Sequence, residues 1–429
     1  MQQGTIYWLC IQPFYHINRV SQAIIIGAGP AGLSAALLLK KNNHFIPVVY
    51  DAYPQATTVG GAIGLQPNGL RILKDLGLHD ELLTRGSSGG KVILHSTKGS
   101  VIGELDFVSW SKKQTGCVQL EIRRDDLLEV LYQAAEKEGI EVHYDKTLSK
   151  IIEGDQQVTA TFSDGTTDTG DFLLGCDGLR STVRSSYVDP DVEPEYSGIT
   201  DIFSLVPTSD HPTLAGLGRK THATFTTEGF FAVMCCRAQQ DINYWFFSSE
   251  LPASVSGVEE VDFKPIIHNA ANKIAGEWGD VLRILVDKSK NLRFYPIWTL
   301  PLGGKWYKGR CLLLGDAAHA MSPHAGQGVS MALEDAVYFS RLLGETSLGL
   351  NDIFRRYDEK RRPRTDAVYK AAKRNGASRK KTGPWRIWFN EIVLTVFLAV
   401  YRIFNLQSFG IGQKLAAYDI KEEPLWYIS

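Results

Sequence analysis

A glycine-rich turn near the start of the chain has the residue types and spacing of a site for a dinucleotide phosphate. Gly27, Gly29 and Gly32 form a Gly-x-Gly-x-x-Gly pattern directly after the apolar run AIII and open a predicted helix. The first glycine permits a tight turn, the second lets a pyrophosphate approach the backbone, and the third lets the helix pack on the strand. Asp51 ends the next predicted strand, where a carboxylate can accept hydrogen bonds from ribose hydroxyls.

A second glycine-rich block lies far along the chain. The run CLLL leads into GDAAH at 315–319, and Pro323, Gly326 and Gly328 follow. Asp316 then stands at the end of a buried strand, where its carboxylate can hold a ribityl chain. The glycines beyond it leave free N–H groups at a helix start, which can bind the polar edge of a flavin ring.

Two shorter blocks complete a set of four, namely Cys176-Asp177-Gly178 and Arg124 at the start of a predicted helix. The order GxGxxG, Asp-Gly, GDAAH and P-x2-GxG resembles the class A flavoprotein monooxygenases. That family includes para-hydroxybenzoate, salicylate and tetracycline-modifying hydroxylases and many fungal secondary-metabolite enzymes. The resemblance covers residues 22–375. It implies an α/β fold with a Rossmann-like FAD-binding domain of the glutathione-reductase type.

The resemblance also implies which residues contact FAD. The three glycines of the first turn hold the pyrophosphate, Asp51 the adenosine ribose, Arg124 the diphosphate or ribityl region, and Asp316 the ribityl chain. The segment at 61–64 lies against the flavin ring, and the loop of Asp177 supports the use of FAD and NAD(P)H. The full set is Gly27, Gly29, Gly32, Asp51, Gly61, Ala62, Gly64, Arg124, Asp177, Asp316, Gly326, Gly328 and Val329.

The implied reaction consumes NADPH or NADH and O2. In this family the reduced flavin forms a hydroperoxide that hydroxylates or epoxidises a small molecule, and the cofactor performs the difficult chemistry. No second nucleotide-binding domain is evident, which fits the class A pattern of one domain serving both steps. A role in secondary metabolism follows from the same resemblance. The sequence assigns no catalytic base.

Two residues depart from the family pattern. Asp51 stands where the ribose carboxylate is usually Glu. Phe203 stands where some phenol-oxidising relatives carry an arginine that steadies a phenolate. The second departure favours an apolar, aromatic or polycyclic substrate. The predicted substrate contacts are Phe203, Phe225, Tyr244 and Pro323, and aromatic residues Phe231, Trp245 and Phe247 are further candidates.

The elements that must position these residues divide the chain into four predicted parts. Residues 1–22 form an N-terminal extension. Residues 23–194 and 301–375 form a discontinuous FAD-binding domain, with alternating strands and amphipathic helices. Residues 195–300 are rich in short strand-like runs and predict an inserted, mostly antiparallel substrate-binding sheet. Residues 376–429 form a helical C-terminal tail.

Composition narrows the class of partner. A net charge of −1 in 429 residues does not indicate nucleic acid as a partner, so a small molecule is the expected partner. The six cysteines form no C-x-x-C pair and no zinc spacing, so we expect free thiols, no metal and a cytoplasmic location. His319 and His324 are interpreted as structural or solvated.

The tail contains the apolar stretch WRIWFNEIVLTVFLAVYRIF at 385–404. Its uninterrupted apolar run, 392–401, has ten residues, whereas a membrane span needs about 20. The sequence favours a helix that is buried or packed at an edge, and leaves open an interfacial helix that contacts a membrane peripherally. The oligomeric state is not predicted.

Alternative functions remain open at this stage. The same fold serves flavin halogenases and prenyl reductases, although the W-x-W-x-I-P signature of halogenases is missing here: Trp385 and Trp388 have the wrong spacing. A non-catalytic FAD-binding scaffold is the other alternative, because a fold does not ensure activity.

Overall fold

The structure is a computed structural model that describes residues 21–41, 45–56, 60–252, 263–345 and 347–425. Its strands are numbered along the chain. They are β1 (Ser21–Ile26), β2 (Phe45–Tyr50), β3 (Ala62–Leu65), β4 (Ser87–Ser88), β5 (Lys91–His95), β6 (Val101–Asp106), β7 (Leu120–Arg123), β8 (Glu141–His143), β9 (Leu148–Glu153), β10 (Val158–Phe162), β11 (Thr167–Gly170), β12 (Phe172–Gly175), β13 (Glu195–Pro207), β14 (Thr221–Phe225), β15 (Gly229–Cys235), β16 (Ile242–Ser249), β17 (Arg293–Thr299), β18 (Tyr307–Lys308) and β19 (Cys311–Leu313).

The helices are numbered in the same way. They are α1 (Pro30–Lys41), α2 (Pro67–Asp75), α3 (His79–Arg85), α4 (Ser109–Thr115), α5 (Arg124–Lys137), α6 (Pro212–Ala215), α7 (Lys264–Ala271), α8 (Gly276–Lys288), α9 (Asp316–His319), α10 (Gly328–Leu343), α11 (Leu350–Ala377) and α12 (Pro384–Ile403). Short 3-10 turns cover Pro323–Ala325, Leu406–Phe409 and Lys414–Ala417, and Arg184–Val188 forms a π-helical turn.

A six-stranded sheet in the order β18-β19-β12-β1-β2-β8 forms the first layer. Strands β1, β2, β8, β12 and β19 are parallel, and Ile24 of β1 pairs with Val48 of β2 and Leu173 of β12. Helices cover this sheet, which is why its strands are continuous apolar runs. Parallel strands end at one edge, so the turns after β1, β2, β12 and β19 meet there. Three of the four sequence blocks with predicted chemistry therefore converge at this edge, whereas Arg124 follows β7 of a smaller sheet. The predicted α/β fold is confirmed.

A seven-stranded sheet in the order β17-β13-β16-β15-β14-β5-β6 forms the second layer. Its pairs are antiparallel except β14 with β5. The predicted bounds of this sheet, 195–300, are too narrow, because β5 and β6 precede them in the chain. These strands cover the edge of β14, whose backbone groups would otherwise lack partners. Two smaller sheets have the orders β11-β10-β9 and β3-β7-β4.

Helices α7 and α8 cover the back of the seven-stranded sheet, although the sequence predicted only strands in this region. Their apolar faces bury Phe231, Trp245 and Phe247, each no more than 1% exposed. The indole Nε1 of Trp245 donates to Ser289 Oγ at 2.9 Å. These three aromatic side chains therefore belong to a core. Their prediction as substrate contacts is wrong, because alternation along each strand turns them away from the FAD domain.

The structure bears on two predictions about the ends of the chain: where the N-terminal extension stops and how the C-terminal apolar helix packs. Strand β1 begins at Ser21, so the predicted extension ends two residues too late, and residues 1–20 lie outside the described part. At the other end, α12 packs at an edge on β6: Leu398 and Tyr401 are buried, and Tyr401 Oη donates to Asp106 O at 3.2 Å. In the described chain no helix has the length and apolar character that crossing a membrane requires.

Candidate active site

The first glycine turn has the geometry of a phosphate cradle. Gly27 has φ +107°, and a Cβ there would lie 2.4 Å from Cys176 O. A Cβ on Gly32 would lie 1.9 Å from Gly27 O, so both positions require glycine. A Cβ on Gly29 would meet nothing within 4 Å. The turn therefore leaves open space over Gly29 at the N-terminus of α1, where an anion is favoured.

Asp51 lies beside this turn, at the end of β2. Its Oδ2 accepts a hydrogen bond from Ala28 N at 2.7 Å, and its Oδ1 accepts one from Tyr53 N at 2.9 Å. The carboxylate thus ties the end of β2 to the glycine turn. Contact with a ribose stays a prediction for Asp51.

The segment predicted to lie along the flavin ring meets both Arg124 and the large sheet. Arg124 N donates to Gly61 O at 3.1 Å. A Cβ on Gly61 would lie 2.2 Å from Cε2 of Tyr244, so this backbone approaches the tyrosine ring closely. Ala62 is buried in one cluster with Phe203 and Tyr244. Residues predicted for the cofactor and for the substrate therefore share one wall.

Gly64 is placed differently from Gly61 and Ala62. It pairs with Glu121 across β3 and β7, and a Cβ on Gly64 would lie 3.1 Å from Glu121 Oε2. Glu121 is 2% exposed, and its Oε2 has no hydrogen-bond partner in the described structure. Burial raises the pKa of Glu121 to about 7. No local sequence pattern signals this buried carboxyl group, because much of its surroundings comes from distant segments.

Asp177 caps the turn that follows β12. Its Oδ2 accepts hydrogen bonds from Thr182 N at 2.7 Å and Val183 N at 3.1 Å. Burial raises the pKa of Asp177 in spite of these bonds. Arg184, in the same block, donates to Ala317 O at 2.9 Å. The Asp177 block therefore stabilises the GDAAH turn through this hydrogen bond. A direct role of Asp177 with FAD or NAD(P)H stays a prediction.

Asp316 faces into a cleft between the two layers. Its side chain is accessible to solvent, yet it is set deep enough that desolvation raises its pKa, against the lowering effects of His319 and Arg124. Tyr295 of β17 faces the same cleft and is 39% exposed. Burial raises its pKa, while Arg124 opposes the shift and Asp316 adds to it. Arg124, Asp316 and Tyr295 therefore share one electrostatic environment.

The turn after α9 forms another wall of the cleft. Pro323 and Gly326 are exposed, Gly326 has φ +61°, and Gly328 and Val329 open α10. A Cβ on Gly328 would meet nothing within 4 Å, which leaves its backbone N–H approachable. His324 in this turn is buried, and desolvation lowers its pKa to about 2, so it is neutral.

A buried ion network supports this turn from below. Arg361 of α11 donates from Nε to Asp335 Oδ1 and from NH1 to Glu334 Oε2, both at 2.8 Å. Asp335 Oδ2 lies 2.7 Å from His319 Nε2 and accepts from Gly315 N at 2.9 Å. Burial alone would raise the pKa of Asp335, but His319 and Arg361 hold it at about 2. The network fixes the backbone that presents Asp316.

The predicted substrate residues of the large sheet share its inner face. Phe203 pairs with Phe246, and the ring centroids of Phe203 and Tyr244 are 5.7 Å apart. Phe225 of β14 lies on the same face, and its ring centroid is 4.8 Å from that of Phe230. The part of this face around Phe203 and Tyr244 packs with Ala62, beside the predicted flavin position. The part around Phe230 and Phe246 lies in one apolar cluster with Leu394 and Leu398 of α12.

Comparison with known proteins gives the family. A family model described as an FAD binding domain matches residues 20–372. The 6-hydroxynicotinate 3-monooxygenase of Pseudomonas fluorescens is 26% identical over 373 residues, covering 86% of this chain and 94% of that protein. The salicylate hydroxylase of Pseudomonas putida is 27% identical, covering 82% and 84% respectively. The structure of Klebsiella pneumoniae HpxO with FAD and uric acid is 23% identical with a TM-score of 0.79, covering 96% of this chain and all of that one.

The chain therefore belongs to this FAD-binding family. It is an FAD-dependent oxidoreductase of the aromatic-hydroxylase monooxygenase type, as the resemblance implied. The open space over Gly29, the accessible Asp316 carboxylate and the approachable N–H of Gly328 fit an extended FAD molecule.

Proposed function

We propose that this chain uses NADPH or NADH and O2 to insert one oxygen atom into an apolar, aromatic or polycyclic small molecule. The observation that carries the proposal is the cleft itself. Gly61 packs on Phe203 and Tyr244 at the wall formed by the sheet, and Arg124 and Asp316 lie on the FAD side beside them. An apolar substrate on that aromatic face would lie beside the residues that would hold the flavin ring.

The proposed cofactor contacts are those that the family resemblance implied, and the geometry of the cleft supports them. Bound FAD, once reduced by NAD(P)H, supplies the chemistry that activates O2. The chain binds and orients it: the turn at 27–32 takes the diphosphate, Asp51 the adenosine ribose, Arg124 and Asp316 the ribityl region, and the turn at 326–329 the polar edge of the ring. The positive N-terminal ends of α1 and α10 favour the negative groups at both places. Asp177 supports the turn after β12, next to these cofactor contacts.

The substrate class follows from the lining of the sheet. Phe203, Tyr244 and Phe225 present rings, and Pro323 closes the opposite wall. Such a lining excludes water, which a reactive oxygen donor requires. The relatives are named for 6-hydroxynicotinate and salicylate, which are aromatic compounds. We assign the FAD-binding role to residues 23–194 with 301–375, the substrate role to the sheet around 195–300, and the reaction to secondary metabolism.

The redox cycle of the flavin tests this proposal. We expect purified protein to contain FAD, to lose its yellow absorbance when NADPH or NADH is added without oxygen, and to regain it in air. Aromatic polycycles are included in each assay, because relatives of this type need substrate for fast reduction. FAD that neither nucleotide reduces across the whole substrate panel would instead favour a scaffold or an enzyme served by a separate reductase.

We also propose that the C-terminal tail contacts a membrane surface peripherally. The side of α12 that faces away from β6 is apolar and exposed: Trp385 is 82%, Phe389 59% and Val396 58% exposed. Phe409 continues this surface at 65%. Monomeric proteins rarely leave so many large apolar side chains together in water. We call residues 385–415 the tail surface.

The charge of the tail surface indicates an anionic bilayer as its partner. Lysine and arginine side chains surround it, and the exposed ones are Lys380, Lys381, Arg386, Arg402 and Lys414. The single carboxylate between 379 and 415, Glu391, turns inward and accepts from Thr97 N at 2.6 Å. Each cation near an anionic lipid surface contributes about 1 kcal/mol. An apolar face with a basic rim is typical of interfacial helices.

Sedimentation with vesicles tests the tail surface. We expect the protein to bind vesicles of phosphatidylcholine and phosphatidylserine, to bind pure phosphatidylcholine less, and to dissociate in high salt. The double variant Val393→Glu, Val396→Glu is expected to remain in the supernatant, whereas Ile152→Glu, at an exposed apolar site on β9, is expected to bind normally. Equal binding by all three proteins, or a tail surface covered by a second copy in solution, would contradict the assignment.

A further inference from the structure

The loop between α11 and α12 brings an arginine into the cleft. Thr382 N donates to Thr227 O at 2.9 Å, which holds this loop across the turn between β14 and β15. Arg379 reaches inward from it, and its guanidinium lies 4.6 Å from the ring centroid of Phe230 and 5.5 Å from that of Phe246. A segment remote in sequence from the sheet thus supplies a cation to the aromatic face.

The position of Arg379 is on the substrate side of the cleft. Phe230 pairs with Ser248 across β15 and β16, so the two share a face, and Tyr244 lies on that face of β16 as well. Arg379 opposes the rise in the pKa of Tyr244 that burial causes, and adds to the lowering for His324. The guanidinium therefore lies between the inner face of the sheet and the turn of His324.

Only some of the N–H donors of the Arg379 guanidinium have hydrogen-bond acceptors in the described structure. NH1 donates to Ser248 Oγ at 2.9 Å, and Ser248 Oγ in turn donates to Asp201 Oδ1. Within the described residues no carboxylate is within ion-pairing distance of the guanidinium. Burial lowers the pKa of Arg379, and Asp201 only partly offsets this. A guanidinium carries five N–H donors in a plane, so donors remain for a further acceptor.

We infer that Arg379 binds an anionic oxygen of the substrate, a carboxylate or an aromatic oxyanion, while the substrate ring lies on the inner face of the sheet. This inference rests on the proposed function and narrows its substrate class. Because Phe203 replaces the arginine of some relatives, the sequence predicted a substrate without need of a cation. Arg379 supplies that cation from the other end of the chain, and a buried guanidinium favours an ionised acceptor.

Matched pairs of aromatic ligands test the inference with the FAD-loaded protein. We would titrate naphthoate against methylnaphthalene, and naphthol against naphthalene, and follow binding by the change in flavin absorbance. The wild type is expected to prefer naphthoate to methylnaphthalene. In Arg379→Gln the affinity for naphthoate is expected to fall on the order of ten- to a hundredfold, as for one lost charge-assisted hydrogen bond, with methylnaphthalene unchanged.

Further variants separate charge recognition from structural damage. Lys380→Gln removes the neighbouring exposed cation and is expected to leave both affinities unchanged. Asp201→Asn removes the opposing negative charge and is expected to strengthen naphthoate binding. The inference is overturned if the wild type prefers neither acidic ligand, if the preference survives in Arg379→Gln, or if Asp201→Asn weakens naphthoate binding. An FAD-loaded wild type that binds naphthoate through Arg379 but never oxidises NAD(P)H would instead refute the proposed function alone.

Discussion

Replacing Gly29 with valine is expected to remove FAD binding without unfolding the protein. The built Cβ at this position meets nothing within 4 Å, so the fold accepts a side chain there. The same side chain fills the space over the N-terminus of α1 through which the diphosphate must approach. We expect the affinity for FAD to fall on the order of a hundredfold or more, as losing two charge-assisted hydrogen bonds would cause. Fluorescence titration of the apoprotein with FAD measures it.

The matched control for this variant is Gly349→Val, at the start of α11. A Cβ on Gly349 also meets nothing within 4 Å, and its backbone is extended with φ −75°. This variant is expected to bind FAD normally. Circular dichroism and thermal unfolding of both apoproteins should match the wild type. A Gly29→Val protein that retains FAD at full occupancy would contradict the placement of the diphosphate.

Replacing Arg361 with methionine is expected to cause the largest loss of stability. Arg361, Glu334 and Asp335 are each no more than 1% exposed, and Arg361 pairs with both carboxylates. The variant would remove this shared cation and leave Glu334 paired with Arg364 and Asp335 with His319. Removing one partner of a buried ion pair costs about 3–5 kcal/mol. Denaturant unfolding at neutral pH measures the change in the free energy of unfolding.

The pH dependence of that loss gives a second check. In the wild type the pKa of Asp335 is held at about 2, below the value of about 4 in an unfolded chain, so its ionised form adds stability above pH 4 that is lost as the pH falls toward 2. Without Arg361, burial should raise this pKa, so the deficit of the variant should shrink as the pH is lowered. Arg355→Met, which breaks exposed pairs with Asp352 and Glu359 on the same helix, is expected to change stability little. Equal effects of the two substitutions would rule out a structural role for the buried network.

The cofactor side of the site was predictable because its signals are local. Gly27 is required by its φ of +107° and Gly32 by its approach to Gly27 O within the same turn. The buried strand and helix around them follow from short apolar patterns. The same holds for GDAAH, where the end of a strand and the start of a helix are adjacent in sequence. Such short-range geometry is repeated whenever these residue types occur in this order.

The substrate side was less predictable because it depends on which face of each strand turns inward. The alternation of side chains along a strand did not distinguish Phe203 from Phe231 as a substrate contact. In the structure, α8 covers one face of the sheet and buries Phe231 there. The β5 and β6 strands were missed as members of this sheet, because β5 joins it by pairing with β14, which is more than a hundred residues away, and β6 pairs only with β5 in the described sheet. Arg379 and Arg361 were missed for the same reason: their partners lie in segments that only the fold brings near.

Transfer of oxygen from labelled O2 tests the central claim most directly. The FAD-loaded protein would be supplied with NADPH or NADH and O2 of a heavy isotope, in the presence of the aromatic acid that it binds most tightly. We predict a product that carries one labelled oxygen atom, with NAD(P)H consumed in equal amount. Oxidised or reduced product without label, or FAD-dependent NAD(P)H consumption that yields only hydrogen peroxide with every ligand that binds in the cleft, would contradict the assignment as a monooxygenase.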